Sequence, residues 1–177
     1  MKAVLISIQP KWVEKIASGQ KTIEVRKNWP KLDKPFKCYI YCSQGTYKDL
    51  GNYCDWVYEN RMKVIGEFVC DRIEEWKYFP DCYVEKENEK MYYITSADGY
   101  ATCLNYDEIE NYGKGKTLYG WHISNLKIYD KPKELSEFWT VKCTNKRNGC
   151  IGCEVKPNCI KTVTRPPQSW CYVEAEE

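Results

Sequence analysis

Between residues 1 and 27 the hydrophobic period runs from two to 3.6 and back to two. This alternation restricts the chain to a fold that mixes short strands with short helices. Val4, Ile6 and Ile8 alternate with Leu5 and Ser7, as a strand does. Pro10 stands where a first helical turn tolerates it, Trp12, Val13, Ile16 and Ala17 share one helical face, and Gly19 stops the helix. In "KTIEVRK" the period returns to two: Ile23 and Val25 face one way, and Thr22, Glu24 and Arg26 the other. "NWPKLDKP" is a loop punctuated by Pro30 and Pro35.

Further along, "KCYIYCS" (37–43) is rich in strand-favouring residues, and "KVIGEFVCDRI" (63–73) reads as a long strand with Gly66 at a bulge or bend. Residues 76–100 mix Tyr, Glu and Lys and suit a loop with a short strand at "MYYIT". Asn105 and Glu108 form a capping-box pattern for a helix that ends near Gly113. "TLYGWHISNLKIY" (117–129) reads as one final long strand, bent because its alternation is imperfect. "KPKELSEFW" is a short helix or turn that returns Leu135, Phe138 and Trp139 to the body. The order predicts an α+β fold, a small mixed β-barrel with short flanking helices. Residues 1–140 form the barrel, and residues 141–177 a cysteine-rich extension packed on it.

The charges nearly cancel, 27 Lys and Arg against 25 Asp and Glu for a net +2, so any polyanion must be drawn by a local patch. No stretch approaches the ~20 apolar residues of a membrane span, and the first apolar run is broken by Gln9 and Pro10 before it suits a signal peptide. A cytoplasmic protein is expected. It has 11 cysteines, which in a reducing compartment favour buried thiols and metal ligands over disulfides.

Four of them, Cys143, Cys150, Cys153 and Cys159, follow the spacing C-x6-C-x2-C-x5-C. The C-x2-C turn sets two thiolates at the right bite for a tetrahedral zinc, and a closed four-cysteine site is structural. A zinc knuckle would also brace a segment too poor in apolar residues to build its own core. Free thiols, two disulfides and an iron–sulfur cluster are the alternatives. The remaining cysteines read as buried small residues, and Cys38 and Cys42 share one side of their strand.

The single histidine, His122, reads as core or rim packing, and no nucleophile motif, phosphate-binding loop or dinucleotide fingerprint accompanies it. The polar face of residues 21–26 is the best candidate for chemistry, although a surface charge ladder has the same pattern.

"SGQKTIEVRK" after "IQPKWVEKIA" resembles the ASCH domain, a PUA-like barrel family marked by G-x-K-x-x-E-x-R after the first helix. Gly19, Lys21, Glu24 and Arg26 supply the motif. The resemblance runs through "VIGEFVCDRI" to "LYGWHISNLKIY", roughly residues 1–130, and the cysteine-rich tail looks like an extension of phage or prophage members. It implies a cleft beside the first helix that binds RNA or a nucleotide or nucleoside. There Lys21 and Arg26 would meet phosphate or a base edge, Thr22 would line the site, Glu24 would accept from a base amine or hold the two cations, and Trp29 and Trp121 would offer stacking faces. Some members hydrolyse N4-acetylcytidine with a lysine, a threonine three positions later and a distant glutamate; others cleave RNA. Lys21 and Glu24 would be the catalytic pair of such an enzyme, but Glu24 stands at the threonine position, and near the short helix only Thr102 presents itself. A phage protein that sequesters a nucleotide signal is a further possibility. The oligomeric state has no signal in the sequence.

Overall fold

Each alternating segment forms a strand and each apolar face a helix. The chain runs β1 (Lys2–Ile8), α1 (Pro10–Ala17), β2 (Ile23–Arg26), β3 (Phe36–Cys42), α2 (Asp55–Glu59), β4 (Val64–Cys70), β5 (Ile73–Trp76), β6 (Tyr78–Phe79) and β7 (Met91–Tyr92). It continues with α3 (Ser96–Thr102), α4 (Tyr106–Gly113), β8 (Leu118–His122), β9 (Ser124–Lys133), β10 (Trp139–Val141), β11 (Ile160–Thr162) and β12 (Trp170–Glu174). The structure is a computed structural model that describes residues 1–45, 53–79, 91–92, 94–141 and 160–175. The fold is mixed α+β. Its larger sheets are a five-stranded one in the order β12-β1-β3-β4-β9 and a three-stranded one in the order β2-β8-β5, each open at both ends among the described residues.

Two compact units arise from interleaved stretches. The first comprises Met1–Pro10, Lys37–Glu67 and Lys127–Glu177. Here β1 lies parallel to β3, with Val4 opposite Cys38 and Ile8 opposite Cys42, and β12 runs antiparallel along its other edge, with Ile6 opposite Trp170. The "WCYVE" segment of the tail therefore completes this sheet. Ala3, Leu5, Tyr39, Tyr41, Val64 and Phe138 form the centre of its core, and Tyr39 and Phe138 meet edge to face at 4.9 Å between ring centroids. Gly66 is less a bulge than a point of close approach. A Cβ there would lie 2.4 Å from the Lys127 carbonyl oxygen.

The second unit comprises Lys11–Phe36 and Phe68–Leu126. The expected long strand at 117–129 is two strands in two different sheets, β8 and β9. At the break the Ile123 N–H donates to the Thr22 carbonyl at 2.9 Å, and Asn125 takes φ +48°, a conformation asparagine tolerates better than most residues. The strand expected at 63–73 likewise divides into β4 and β5. Ile23, Val25, Trp76, Ile109 and Leu118 form this unit's core. Gly120 is dictated by packing, because a Cβ would lie 2.5 Å from the Trp76 ring. α4 carries the expected capping box: the Asn105 side chain accepts from the Glu108 N–H at 2.8 Å, and Glu108 accepts in return from the Asn105 N–H at 3.1 Å. Glu108 also pairs with Lys11 at 2.8 Å, which ties α4 to the first turn of α1.

Among the described residues, no helix is long and apolar enough to cross a membrane. Cys38, Cys42 and Cys70 are buried as expected. Burial pushes the Cys42 and Cys70 thiols up to about 12, so both are unreactive at neutral pH. Cys54 departs from the expectation, being exposed, Cys103 and Cys171 are only half-buried, and Cys82 lies outside the described residues. Cys143, Cys150, Cys153 and Cys159 lie outside the described residues.

Candidate functional site

The helix-to-strand turn builds the site. α1 ends where Gly19 adopts φ +76°, a left-handed conformation that favours glycine, and the Lys21 N–H donates to the Lys15 carbonyl at 2.9 Å. This return places the Lys21 side chain inside the unit, at 2% exposure. Its ammonium donates to the Ile23 and Thr102 carbonyls, both at 2.7 Å, and lies 3.4 Å from Glu24 Oε2. Three N–H groups thus have three acceptors. The Trp12 ring lies 5.3 Å away. Burial lowers the Lys21 pKa from its usual value, and the Glu24 charge opposes that effect.

Glu24 is a bridge. Its second oxygen lies 3.0 Å from Arg26 Nη2, so one carboxylate joins the two cations of the motif. All four residues of β2 are buried, which differs from the half-solvated strand that the alternation anticipated. The strand tolerates burial because its charges compensate each other: two cations against one carboxylate leave a single positive charge.

Register sorts the remaining groups. Glu24 stands opposite Trp121 and Arg26 opposite Tyr119 on β8. Trp121 is fully buried and packs edge-on against Phe36 at 6.0 Å, so it presents no ring face to solvent. Trp29, by contrast, is 43% exposed. Thr22 is also exposed, with its N–H donated to the Ala101 carbonyl at 2.9 Å. Tyr112 on α4 lies close enough to Arg26 and Glu24 to feel both charges, and burial pushes its hydroxyl pKa up.

Sequence reasoning missed Tyr112 and the Thr102 carbonyl. The Thr102 hydroxyl is bound within its own helix end, donating to the Gly99 carbonyl at 2.7 Å and accepting from the Leu104 N–H at 3.1 Å. Its backbone carbonyl is the group that serves the site. The pattern Thr95-x-x-Asp98 was the available signal for α3, since the Thr95 hydroxyl caps the helix by accepting from the Asp98 N–H at 3.2 Å.

A second polar group occurs on the opposite face of the sheet. His122 Nδ1 lies 3.2 Å from Arg72 Nη2 and His122 Nε2 3.4 Å from Glu74, with Asp98 completing a set whose ligand-type atoms all fall within 4.8 Å. A guanidinium only donates, so in this contact Nδ1 is the acceptor. Arg72 is also 3.2 Å from Glu74 Oε1, so a cationic side chain already accompanies this group.

No protein-family model and no curated protein sequence matches the chain. Its three-dimensional structure does have counterparts. ASCH from Zymomonas mobilis superposes with a TM-score of 0.57 at 17% identity, over 97% of this chain and 87% of that one. A tyrosine-to-phenylalanine mutant of the same protein gives 0.58 at 17% identity over 98% and 91%. A serine-to-alanine mutant gives 0.58 at 17% identity over 97% and 88%. At this identity the likeness is one of architecture, and the chain has the fold of the ASCH proteins.

Proposed function

We propose that this chain binds RNA or a nucleotide at the site built by Lys21, Thr22, Glu24 and Arg26. The observation that carries the proposal is the Glu24 bridge, which fixes two cations in a dry setting and leaves one positive charge for an anion such as phosphate. Arg26, at 7% exposure, is the least buried of the three charged residues. Thr22 and Trp29 add an exposed hydroxyl and an exposed ring. The ASCH fold supports the same reading.

Binding is favoured over catalysis by where the protons go. The Lys21 ammonium is spent on three acceptors, which suits a fixed cation better than a base or nucleophile, and the Glu24 carboxylate is spent on two cations. In fluorescence anisotropy at low salt, the protein is expected to bind RNA or nucleotides with an affinity that falls as salt rises. Arg26→Lys, which keeps the charge and loses the forked donor geometry, should weaken binding about tenfold while the circular dichroism spectrum stays unchanged. No binding to either ligand class would end the proposal. Consumption of N4-acetylcytidine or cleavage of RNA, lost in Lys21→Ala, would replace binding with hydrolysis.

The proposal extends to a structural zinc on Cys143, Cys150, Cys153 and Cys159, supported by their spacing and by the four-thiolate donor set. Elemental analysis of the purified protein is expected to give about one zinc per chain. A zinc-free preparation that melts at the same temperature would refute it.

A further inference from the structure

β9 is the last strand of the five-stranded sheet, and among the described residues no strand pairs with its outer edge. A groove of about 380 Å³, built wholly from the first unit, reaches from Lys37 on β3 across Glu67 on β4 to β9. Residues 127–131 all line it. Successive side chains of a strand point to opposite faces, so five consecutive residues share one groove only if the main chain of β9 belongs to its wall. The lining is cationic: Lys37, Lys127, Lys131 and Lys133 against Glu67 and Asp130 leave a local +2, as much as the whole chain carries. Glu67 is already engaged, accepting from the Tyr129 hydroxyl at 2.7 Å and lying 3.6 Å from Lys37 Nζ. Lys127 and Lys131 are exposed, and among the described residues neither has an ion-pair partner. Alternate residues of a strand share a side, so these two lysines stand on one side of β9, about 13 Å apart.

We infer that β9 is a docking edge for an extended acidic segment of a partner protein, which adds to the sheet as a further strand. The inference does not depend on the nucleotide site, whose residues belong to the second unit. In strand addition the main-chain hydrogen bonds supply affinity and alternate side chains supply specificity. A segment with Asp or Glu at every second position repeats its charge every ~6.6 Å, which matches the spacing of alternate residues on β9. Lysine and proline on an edge strand ordinarily guard it against indiscriminate pairing. Here the guard is also a filter, because the lysines that disfavour a basic strand attract an acidic one. Pro132 lacks an N–H and marks where the added ladder stops. A second copy of β9 would set lysine against lysine. A polynucleotide brings a phosphate at every step and would meet the Asp130 carboxylate, while the one ring of the groove, Tyr129, already has the Lys133 ammonium 5.3 Å from its centre.

The test uses the whole chain and a fluorescein-labelled peptide of about eight residues in which Glu alternates with Thr, read by fluorescence anisotropy. This peptide is expected to bind, and one of the same composition with its glutamates in a single block to bind at least ~10-fold more weakly. Alternate N–H groups of a strand point to opposite edges, so N-methylation tells strand addition from charge attraction. Methylating either all the Glu nitrogens or all the Thr nitrogens keeps every charge. One of the two patterns is expected to weaken binding at least ~10-fold and the other to change it little. Lys127→Glu combined with Lys131→Glu should also weaken binding at least ~10-fold, with the circular dichroism spectrum unchanged. Indifference to both methylation patterns, equal binding of the block peptide or indifference to the charge reversal would reduce the groove to an ordinary charged surface and overturn the inference. So would absence of peptide binding, or displacement of the peptide by an oligouridylate that competes equally well against the charge-reversed chain.

Discussion

Glu24→Ala is expected to lower the unfolding free energy by about 3–5 kcal/mol, the cost of leaving a buried charge without its partner. The carboxylate is 6% exposed and holds two cations, so its removal strands both Lys21 at 2% and Arg26 at 7% exposure. For a chain of this length the melting temperature should fall on the order of 10 °C. The loss would come from imbalance and not from the absence of charge. Replacing Lys21, Glu24 and Arg26 together by Met, Leu and Met removes the desolvation penalty with the attraction and should recover part of that loss, the remainder being the cost of the Ile23 and Thr102 carbonyls that lose the Lys21 donor. That triple variant is expected to fold and to bind no nucleotide. Urea denaturation of the two variants checks both arms, and a Glu24→Ala effect below about 1 kcal/mol would show the bridge to be dispensable.

Gly66→Ala is expected to cost about 3 kcal/mol, the upper end of what overpacking does. The obstacle is main chain. The new methyl would lie 2.4 Å from the Lys127 carbonyl oxygen and 3.2 Å from the Ile128 Cα, and neither can rotate away as a side chain would. β4 and β9, neighbours in the five-stranded sheet, would have to part. Gly99 is the control, because a Cβ there meets nothing within 4 Å and the residue lies inside α3. Gly99→Ala should therefore stabilise by roughly 0.5–1 kcal/mol. Equal melting temperatures for the two alanine variants would contradict the close approach at Gly66.

Local pattern revealed what is local. Pro10, Gly19 and the Asn105–Glu108 box mark helix ends whose physics is complete within a few residues, and all three stand where the periodicity put them. The Lys21-to-Glu24 spacing also exposed the candidate site. The charge state of that site was not legible, because the acceptors that saturate Lys21 include the Thr102 carbonyl, 81 positions away. Trp121 illustrates the same limit: its ring is hidden by Phe36, a contact that no periodicity announces. Gly66 and Gly120 were visible as glycines in strands, but whether a strand glycine marks a bend or a close neighbour depends on which strand lies alongside. The division of 117–129 into two strands depends on their neighbours, β2 and β5 for β8 and β4 for β9, which no local pattern announces.

The pairing of β1 with β12 sets an order of events. One edge of β1 is covered by β3, which follows soon after it, and the other waits for residues 170–174. The second unit, drawn wholly from residues 11–126, can close its loops at smaller entropic cost. During synthesis, β1 therefore carries a bare row of N–H and C=O groups until residues 170–174 have emerged. A fragment that stops before Trp170 keeps that row permanently, and its nearest substitute for β12 is a strand of another molecule.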